Sequence, residues 1–243
     1  MKYAEIIIPG NELLDGNVVD TNSPYLAQKL LEVGVQTRRK TFVRDDVNEL
    51  VKAIEESLSR EPDYLLITGG LGITRDDVTR EGLSKALNKS LTYDENTLRR
   101  IEELLKKRES ELREKGLTET RKGYARIIEG SKPIYNQVGA ACGMLIEKDK
   151  TKLVVLPGVP EEMKAMVDSL IGKIFVGDRI YSEMIYLGRG EESEFLPLHE
   201  ELSKLKIEFG SYPKGMDVYI KIKSEDLGKF EEARKIVEKY KRS

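Results

Sequence analysis

Short apolar runs alternate with helical stripes over the first part of the chain. Residues 5–8 and 64–67 are apolar runs of strand length, and residues 35–43 alternate in polarity, so we predict three strands. Apolar residues at three- and four-residue spacing over 26–33 and 50–58 predict a helix between successive strands. This order is typical of a parallel sheet with helices on both faces.

The pattern continues with a charged helix, a hairpin and another helix. Residues 94–116 carry apolar positions on or near one helical stripe, which predicts a long solvated helix. Residues 144–147 and 153–156 are apolar segments on either side of a polar turn, so they predict a β-hairpin. Residues 163–170 then predict a further helix.

The pattern changes near residue 174. We predict a strand, a helix, a hairpin and a last helix, at 179–187, 191–205, 207–223 and 227–241. This βαββα order is typical of a small α+β module. The chain is therefore predicted to contain two domains, an α/β domain over 1–173 and a small α+β domain over 174–243.

Composition limits the chemistry. The 243 residues carry a net charge of −2, so no overall basic field favours nucleic acid or membranes. One cysteine and one histidine exclude an internal disulfide and a Cys/His zinc site. No apolar run approaches the roughly 20 residues of a membrane span. We expect a cytoplasmic protein, and the Lys- and Glu-rich composition, with 35% charged residues, is typical of thermophiles.

The strongest chemical signal is a glycine-rich loop after the strand at 64–67. Gly69, Gly70 and Gly72 let the backbone approach a ligand and turn its N–H groups toward it. Ligands of open α/β sheets bind beyond the carboxyl ends of strands, and a following helix N-terminus favours phosphate. The loop matches neither the dinucleotide fingerprint nor the P-loop. The alternative interpretation is a simple glycine turn.

Carboxylates follow this loop directly. Asp77 and Glu81 are four residues apart, which predicts that they share one face of a helix with Asp76 beside them. Carboxylates repel phosphate unless a cation lies between them, so we predict a divalent ion that bridges carboxylate and phosphate. The alternative is that Asp76 and Asp77 cap the helix.

Two further strand-end loops have a similar character. In the first, over residues 10–22, Glu12 offers a metal ligand, and Thr21 or Asn22 offers a hydrogen bond to a ligand. In the second, residues 156–163 form a Pro/Gly loop that opens a helix with acidic residues in its first turn. Each loop also has a purely structural interpretation, as a helix cap or a stiff turn.

Together, these loops resemble the motifs of the competence/damage-inducible CinA family. Residues 10–16 read G-N-E-L-L-D-G and residues 20–22 read D-T-N, similar to the family's G-D-E-L-L-x-G and N-T-N. Residues 68–79 read T-G-G-L-G-I-T-R-D-D-V-T, similar to T-G-G-L-G-P-T-x-D-D-x-T. Residues 157–163 match P-G-x-P-x-E-M. A fourth motif, N-x-x-G-T-A-P-G-M, is matched in part by Asn136, Gly139, Gly143 and Met144.

The resemblance implies a three-layer α/β/α domain of the molybdopterin-binding superfamily with a mostly parallel sheet. In CinA-like proteins this domain is associated with metal-dependent hydrolysis of ADP-ribose at its pyrophosphate. A related domain of eukaryotic FAD synthetase is linked to FAD hydrolysis, and other members bind or adenylate molybdopterin. The C-terminal module resembles a small middle domain sometimes described as KH-like, but it lacks a G-x-x-G loop, so we expect no RNA binding.

Three departures from the family pattern fall within these motifs. Asn11 stands where the family usually has Asp, which removes one charge. Ile73 replaces a usual Pro, and residues 140–142 read A-A-C in place of T-A-P.

Our leading hypothesis is a hydrolase, a metal-dependent nucleotide pyrophosphatase acting on ADP-ribose or a similar dinucleotide. Asp76, Asp77 and Glu12 are the expected ligands of a magnesium, cobalt or nickel ion, and Asp45 or Glu81 would orient or deprotonate the attacking water. The expected ligand-binding residues come from the strand-end loops and are Gly10, Asn11, Thr21, Asn22, Thr68, Gly69, Gly70, Leu71, Gly72, Thr74, Thr79, Pro157, Gly158 and Pro160.

Three alternatives stay open. The same loops would serve an FAD pyrophosphatase, or a protein that binds molybdopterin or a nucleotide without turnover, which the change to Asn11 favours. In the third, the C-terminal module acts as an interaction module. We expect a small phosphorylated nucleotide as ligand and a homodimer, with neither a membrane nor a nucleic acid as partner.

Overall fold

The computed structural model describes residues 2–106 and 116–242, which form two compact units, Lys2–Val176 and Gly177–Ser243. The strands of the first unit are β1 (Lys2–Pro9), β2 (Val35–Val43), β3 (Tyr64–Thr68), β4 (Leu91–Tyr93), β5 (Arg126–Ile128), β6 (Lys132–Ile134), β7 (Gly143–Lys148) and β8 (Thr151–Leu156). Six of them form one sheet in the order β2-β1-β3-β8-β7-β6. The first four of these are parallel, β7 and β6 are antiparallel, and β4 pairs with β5 as a separate ribbon.

The helices of this unit are α1 (Asn11–Leu14), α2 (Asn22–Glu32), α3 (Val47–Ser59), α4 (Thr79–Leu87), α5 (Glu95–Lys106), α6 (Glu119–Lys122) and α7 (Pro160–Leu170), with a 3-10 turn at Gly123–Ala125. The long helix predicted over 94–116 is present as α5, and its predicted continuation over 107–115 lies outside the described residues. The helices in the described part of the chain are all too short or too polar to span a bilayer.

Alternation of side chains along β1 defines the layers, since successive strand residues point to opposite faces. Ile6 belongs to a core with Leu26 of α2 and Met163 of α7. Ile7 belongs to a core on the other face with Leu50 of α3. Helices therefore cover both faces of the sheet, and the predicted three-layer α/β/α domain is confirmed.

Side chains fix the start of α3. Asp46 is the N-cap, and its carboxylate accepts hydrogen bonds from the N–H groups of Asn48 and Glu49. The Glu49 carboxylate accepts from the N–H of Arg44 at 3.2 Å, before the cap residue.

The second unit contains β9 (Tyr181–Arg189), α8 (Leu196–Lys204), β10 (Glu208–Lys214), β11 (Asp217–Ser224) and α9 (Leu227–Glu238), with a 3-10 turn at Glu192–Phe195 before α8. Its antiparallel sheet has the order β10-β11-β9. Apolar residues of the strands and both helices form a separate core. The predicted βαββα order is confirmed.

Phe175 and Val176 complete the first unit. Phe175 is fully buried against the edge of the Tyr64 ring, with 5.3 Å between ring centroids. The Tyr64 hydroxyl donates a hydrogen bond to the carbonyl of Val176 at 2.9 Å. The unit thus ends three residues beyond residue 173, where the sequence placed the domain boundary.

Candidate functional site

Three loops meet at the carboxyl edge of β1, β3 and β8, which are neighbouring parallel strands. The buried hydroxyl of Thr68 donates to the carbonyl of Pro157 at 2.9 Å. The side-chain N–H of Asn22 donates to the carbonyl of Gly158 at 2.7 Å and to Thr68 Oγ1 at 3.4 Å. Thr68 and Asn22 therefore tie the three predicted loops together. The Oδ1 atom of Asn22 is buried and has no partner within the described residues.

The carbonyl groups of residues 69–72 all point toward the first turn of α4. The hydroxyl and the N–H of Thr79 donate to the carbonyls of Gly69 and Gly70 at 2.8 and 3.2 Å. Nη1 of Arg80 donates to the next two carbonyls in the loop, at 2.9 and 3.0 Å. Because C=O and N–H point in opposite directions across a trans peptide, the following N–H groups point away from α4.

Three N–H groups of this loop, those of Gly70, Leu71 and Ile73, donate no hydrogen bond within the part of the chain that the structure describes. Successive backbone N–H groups that converge in a loop make a concave site for anions. The N–H of Gly72, which we expected to bind ligand, is instead bonded to Asp77 Oδ1 at 2.7 Å.

Sequence reasoning missed Arg80. Its side chain is only 2% exposed, and besides the loop it donates to the carbonyls of Arg126 and Tyr124 at 2.7 and 3.4 Å. Burial lowers the pKa of the Arg80 guanidinium to about 10, so it stays positively charged at neutral pH. A buried positive charge thus lies beneath the glycine loop. No local pattern signals this, since the burial depends on β5 and the turn before it.

Asp77 organises the loop. Its Oδ1 accepts from Gly72, while its Oδ2 accepts from the N–H of Thr74 at 2.9 Å and from the Thr74 hydroxyl. The helix begins at Thr79 with Val78 as its N-cap, so the predictions that Asp77 shares a helix face with Glu81, or caps α4, are wrong. Both carboxylate oxygens of Asp77 are occupied within the loop.

Glu81 lies in a different cavity from Glu12, Asp45 and Asp76. It forms an ion pair with Arg126, with 2.9 Å between Oε1 and Nη1. It lines a cavity of about 410 Å³ together with Thr74 and Asp77.

Glu12, Asp45 and Asp76 line one cavity of about 260 Å³ beside the loop. Burial raises the pKa of Asp45 against the effect of a hydrogen bond from the Asn11 N–H, and the charges of Glu12 and Asp76 raise it further. The Thr74 hydroxyl lowers the pKa of Asp76. Negative charge is therefore concentrated in this cavity, which favours a cation.

Asn11 positions Asp45 directly. The N–H of Asn11 donates to Asp45 Oδ2 at 2.8 Å, and the N–H of Asp45 donates to Asn11 Oδ1 at 3.3 Å. The amide that stands where the family usually has a carboxylate thus holds Asp45 through a reciprocal pair of bonds. The carbonyl oxygen of Asn11 is occupied by this contact.

Glu12, Asp45 and Asp76 fit a metal ion that takes some of its ligands from water and from a bound phosphate. In residues 2–106 and 116–242, no three His, Cys, Asp or Glu side chains are arranged to hold a metal ion. Mg²⁺ commonly binds one or two carboxylates and completes its octahedron with waters and the phosphates of a ligand. The hard oxygen donors of Glu12, Asp45 and Asp76 fit an ion of that type.

A larger cavity of about 680 Å³ is lined by residues 70–73 of the same loop. Gly70, Asp77 and Gly158 line both this cavity and the acidic one, so the two adjoin. Its walls are largely apolar and include Ile101, Leu104, Leu105, Tyr124, Val138 and Val159. This arrangement suits a ligand with a charged centre and a flat apolar group.

The remaining predicted residues divide between the cavities. Those that line the acidic cavity are Gly10, Thr21, Asn22, Thr68, Gly69 and Pro160. Those that line the larger cavity are Leu71, Gly72 and Pro157. Thr79 is fully buried and acts on the loop, not on a ligand.

The fold and site define a three-layer α/β protein with a glycine loop and carboxylates at the carboxyl edge of a parallel sheet. Residues 5–185 match the family model described as "probable molybdopterin binding domain". The chain belongs to this family, and its relatives make it a CinA-like member.

Each of the three relatives described here matches at least 67% of this chain. A protein of Pyrococcus horikoshii is 43% identical over 227 residues, which is 90% of this chain and 87% of that protein. A putative competence-damage inducible protein of Natranaerobius thermophilus is 41% identical over 67% of this chain and 38% of its own length. The crystal structure of CinA from Thermoplasma acidophilum has a TM-score of 0.62 and 36% identity, and the match covers 70% of this chain and 95% of that one.

Proposed function

We propose that this protein hydrolyses the diphosphate bond of ADP-ribose or a similar dinucleotide with the help of a divalent ion. The proposal rests on two features that lie next to each other. The first is the set of three N–H groups in residues 70–73 that have no partner in the described residues, and the second is the adjoining cavity lined by carboxylates. N–H groups favour phosphate, whereas carboxylates beside a phosphate require a cation.

The carboxylates have distinct roles in this proposal. Glu12 and Asp76 would hold the ion, and Asp45 would orient or deprotonate the attacking water, because it lines the same cavity and burial raises its pKa. A bound divalent ion neutralises phosphate charge and lowers the pKa of a coordinated water. Water oxygen would attack one phosphorus, the bond from that phosphorus to the bridging oxygen would break, and the bridging oxygen would leave on the other phosphate, so that AMP and ribose 5-phosphate are the products of ADP-ribose; Asp45 would take the proton of the water. Asp77, Thr79 and Arg80 hold the loop.

The larger cavity completes the substrate site. A diphosphate on the loop would lie between the acidic cavity and the apolar one, since Gly70 and Gly158 border both. A purine and its ribose suit the apolar walls, which offer the flat surface of Tyr124 and aliphatic side chains.

The direct test is AMP release from ADP-ribose, FAD and NAD with magnesium, cobalt or nickel. We expect turnover of ADP-ribose, and we expect Asp76→Asn to lower kcat by at least 100-fold, because it removes a charge from the cation site. The matched control is Asp149→Asn, an exposed carboxylate in the turn between β7 and β8, which should behave as wild type. No turnover of any of the three substrates with any of these metals contradicts the proposal.

The second candidate function is molybdopterin or nucleotide binding without turnover. The description of the matching family favours it, as does Asn11, whose amide replaces a charged residue beside Asp45. Calorimetry separates the two, because a binding protein would hold one of these ligands tightly and release no product.

A further inference from the structure

Glu162 places one carboxylate in the apolar cavity. It lies in the first turn of α7 and lines the cavity of about 680 Å³. Two other charged side chains line this cavity, and both are engaged: Asp77 accepts three hydrogen bonds within its loop, and Arg121 donates to the carbonyl of Gly116. None of the proposed roles above uses Glu162.

A buried asparagine holds this carboxylate in place. Asn136 is 3% exposed, and its Oδ1 accepts from the N–H groups of Val138 and Gly139 at 2.9 and 2.8 Å. These two bonds define the orientation of the amide, so its Nδ2 must face the other way. There it donates to Glu162 Oε2 at 2.6 Å.

Gly139 leaves room for the carboxylate and turns it toward the cavity. A Cβ atom at position 139 would lie 2.2 Å from Glu162 Oε1, so any other residue would displace the carboxylate. Oε1 has no hydrogen bond within the residues that the structure describes. An ionised carboxylate only accepts hydrogen bonds, so Oε1 offers a fixed acceptor to whatever fills the cavity.

Helix polarity alone does not explain this arrangement. An acidic residue in the first turn of α7 favours the helix dipole wherever it lies, and the exposed Glu161 already does so. The asparagine bond and the space left by the glycine set the position of this carboxylate.

We infer that Glu162 is a specificity-determining residue, which accepts a hydrogen bond from a neutral donor on the nucleoside part of the ligand. The inference rests on the proposed nucleotide site. The donor is either a ribose hydroxyl or the exocyclic amino group of the base. A ligand without that donor leaves Oε1 desolvated and unpaired, which lowers affinity.

Glu162→Gln inverts the polarity of this position without disturbing its support. Asn136 Nδ2 requires an acceptor, so the new carbamoyl oxygen bonds to Asn136 and its NH₂ group faces the cavity. An acceptor becomes a donor, and the thermal unfolding temperature should change little. A purely structural role for Glu162 predicts no effect on ligand choice.

The test is calorimetry with four nucleotides, in the presence of magnesium and with the full-length protein. The probes are AMP, 2′-deoxy-AMP, 3′-deoxy-AMP and IMP, none of which contains a diphosphate bond to hydrolyse. For wild type we expect one analogue to bind about tenfold more weakly than AMP, as for the loss of one hydrogen bond to a charged group. A deoxy analogue identifies a ribose hydroxyl, whereas IMP identifies the amino group.

In Glu162→Gln, AMP should bind as weakly as IMP where the donor is the amino group, which cannot accept from the new NH₂ group. A ribose hydroxyl can accept from that NH₂ group, so in that case AMP should lose about threefold, because a neutral bond replaces a charge-assisted one, and its preference over the deoxy analogue should fall. In both cases the analogue itself should change by less than about twofold. Glu161→Gln is the matched control on the same turn and should match wild type. Unchanged AMP binding by Glu162→Gln overturns the inference, as does an equal loss for all four nucleotides. Binding of none of the four by wild type overturns both the inference and the nucleotide site.

The two proposals fail separately. Selective binding without ADP-ribose hydrolysis would leave this inference standing and remove the pyrophosphatase. Hydrolysis with an unaltered nucleotide preference in Glu162→Gln would do the reverse.

Discussion

At the scale of single residues, Gly70 decides whether the glycine loop of residues 69–72 can form. Its φ is +62°, a region that residues with a Cβ rarely adopt, and a Cβ there would lie 2.4 Å from Thr79 Oγ1. Thr79 is itself bonded to Gly69 and Gly70, so it has no free direction in which to move. Only glycine keeps the N–H groups in their observed direction.

Gly70→Ala should therefore lower the affinity for AMP by more than tenfold. It should also lower the free energy of unfolding by about 2–4 kcal/mol. Gly215→Ala is the matched control, since Gly215 has a φ of +63° in the turn between β10 and β11, with open space around it. That change should lower the free energy of unfolding by only about 1–2 kcal/mol and leave the affinity for AMP unchanged. Calorimetry and urea unfolding measure both effects, and equal behaviour of the two variants would refute this role of Gly70.

Glu5 is a buried charge on β1 that makes stability depend on pH. It is 4% exposed, and Arg60 Nε and Nη2 donate to its two oxygens at 2.8 and 2.7 Å, with the Ser57 hydroxyl at 2.8 Å. Burial by itself would raise the pKa of Glu5, but the bonds from Arg60 and Ser57 outweigh it and lower the pKa below 4.5. The ionised form is thus favoured more in the folded chain than in the unfolded chain.

This stabilisation is complete above about pH 4.5 and is lost as the pH falls through the lower pKa of the folded state. Glu5→Gln should lower the free energy of unfolding by about 2–3 kcal/mol at pH 7, because it leaves Arg60 without its partner. Urea titrations from pH 7 to pH 3 should show the gap between variant and wild type narrowing toward low pH. Glu147→Gln, which removes an exposed pair with Lys132, should change stability by less than about 1 kcal/mol. A gap that stays constant with pH would contradict the assignment.

At the scale of elements, the glycine loop and the first turn of α4 act as one unit. Arg80 joins the loop carbonyls to β5 and to the turn before it, so the loop conformation depends on a helix residue and on a segment more than 40 residues later. Its charge also favours an anion on the opposite side of the loop.

Arg80→Met should weaken AMP binding by at least tenfold and lower the free energy of unfolding by about 3 kcal/mol, because buried carbonyls lose their donor. Arg234→Met is the control, since Arg234 is half-exposed and forms an ion pair with Glu183. Calorimetry and urea unfolding separate the two variants. Normal AMP affinity in a folded Arg80→Met protein would show that the loop needs no support from Arg80.

At the scale of the whole molecule, each of the two units has a core of its own. A fragment of residues 2–176 should therefore fold and bind AMP with the affinity of the full chain. A fragment of residues 2–173 lacks Phe175, whose ring fills the core beside Tyr64, and should be about 3–5 kcal/mol less stable. Circular dichroism during heating compares them, and an unfolded 2–176 fragment or two equally stable fragments would contradict this division.

The sequence predicts the long elements well and the short ones poorly. Strands such as β1 and helices such as α3 carry enough periodic positions to define both their type and their buried face. The three-residue strands β4, β5 and β6 are too short to show a usable period, and each exists through pairing with another strand, β4 with β5 and β6 with β7.

By itself, the sequence determined the residue types of the site and the edge of the sheet on which they lie. Glycines and carboxylates after successive apolar strands must meet there, because the carboxyl ends of parallel strands share one edge. Only the tertiary structure decided what each residue does. In the folded chain the carboxylate of Asp77 accepts hydrogen bonds within its own loop, and Arg80 is buried beneath that loop. Asn136 donates to Glu162, which follows 26 positions later in the chain. The physical reason is that periodicity is a local property, whereas hydrogen-bond partners and burial depend on segments that only folding brings together.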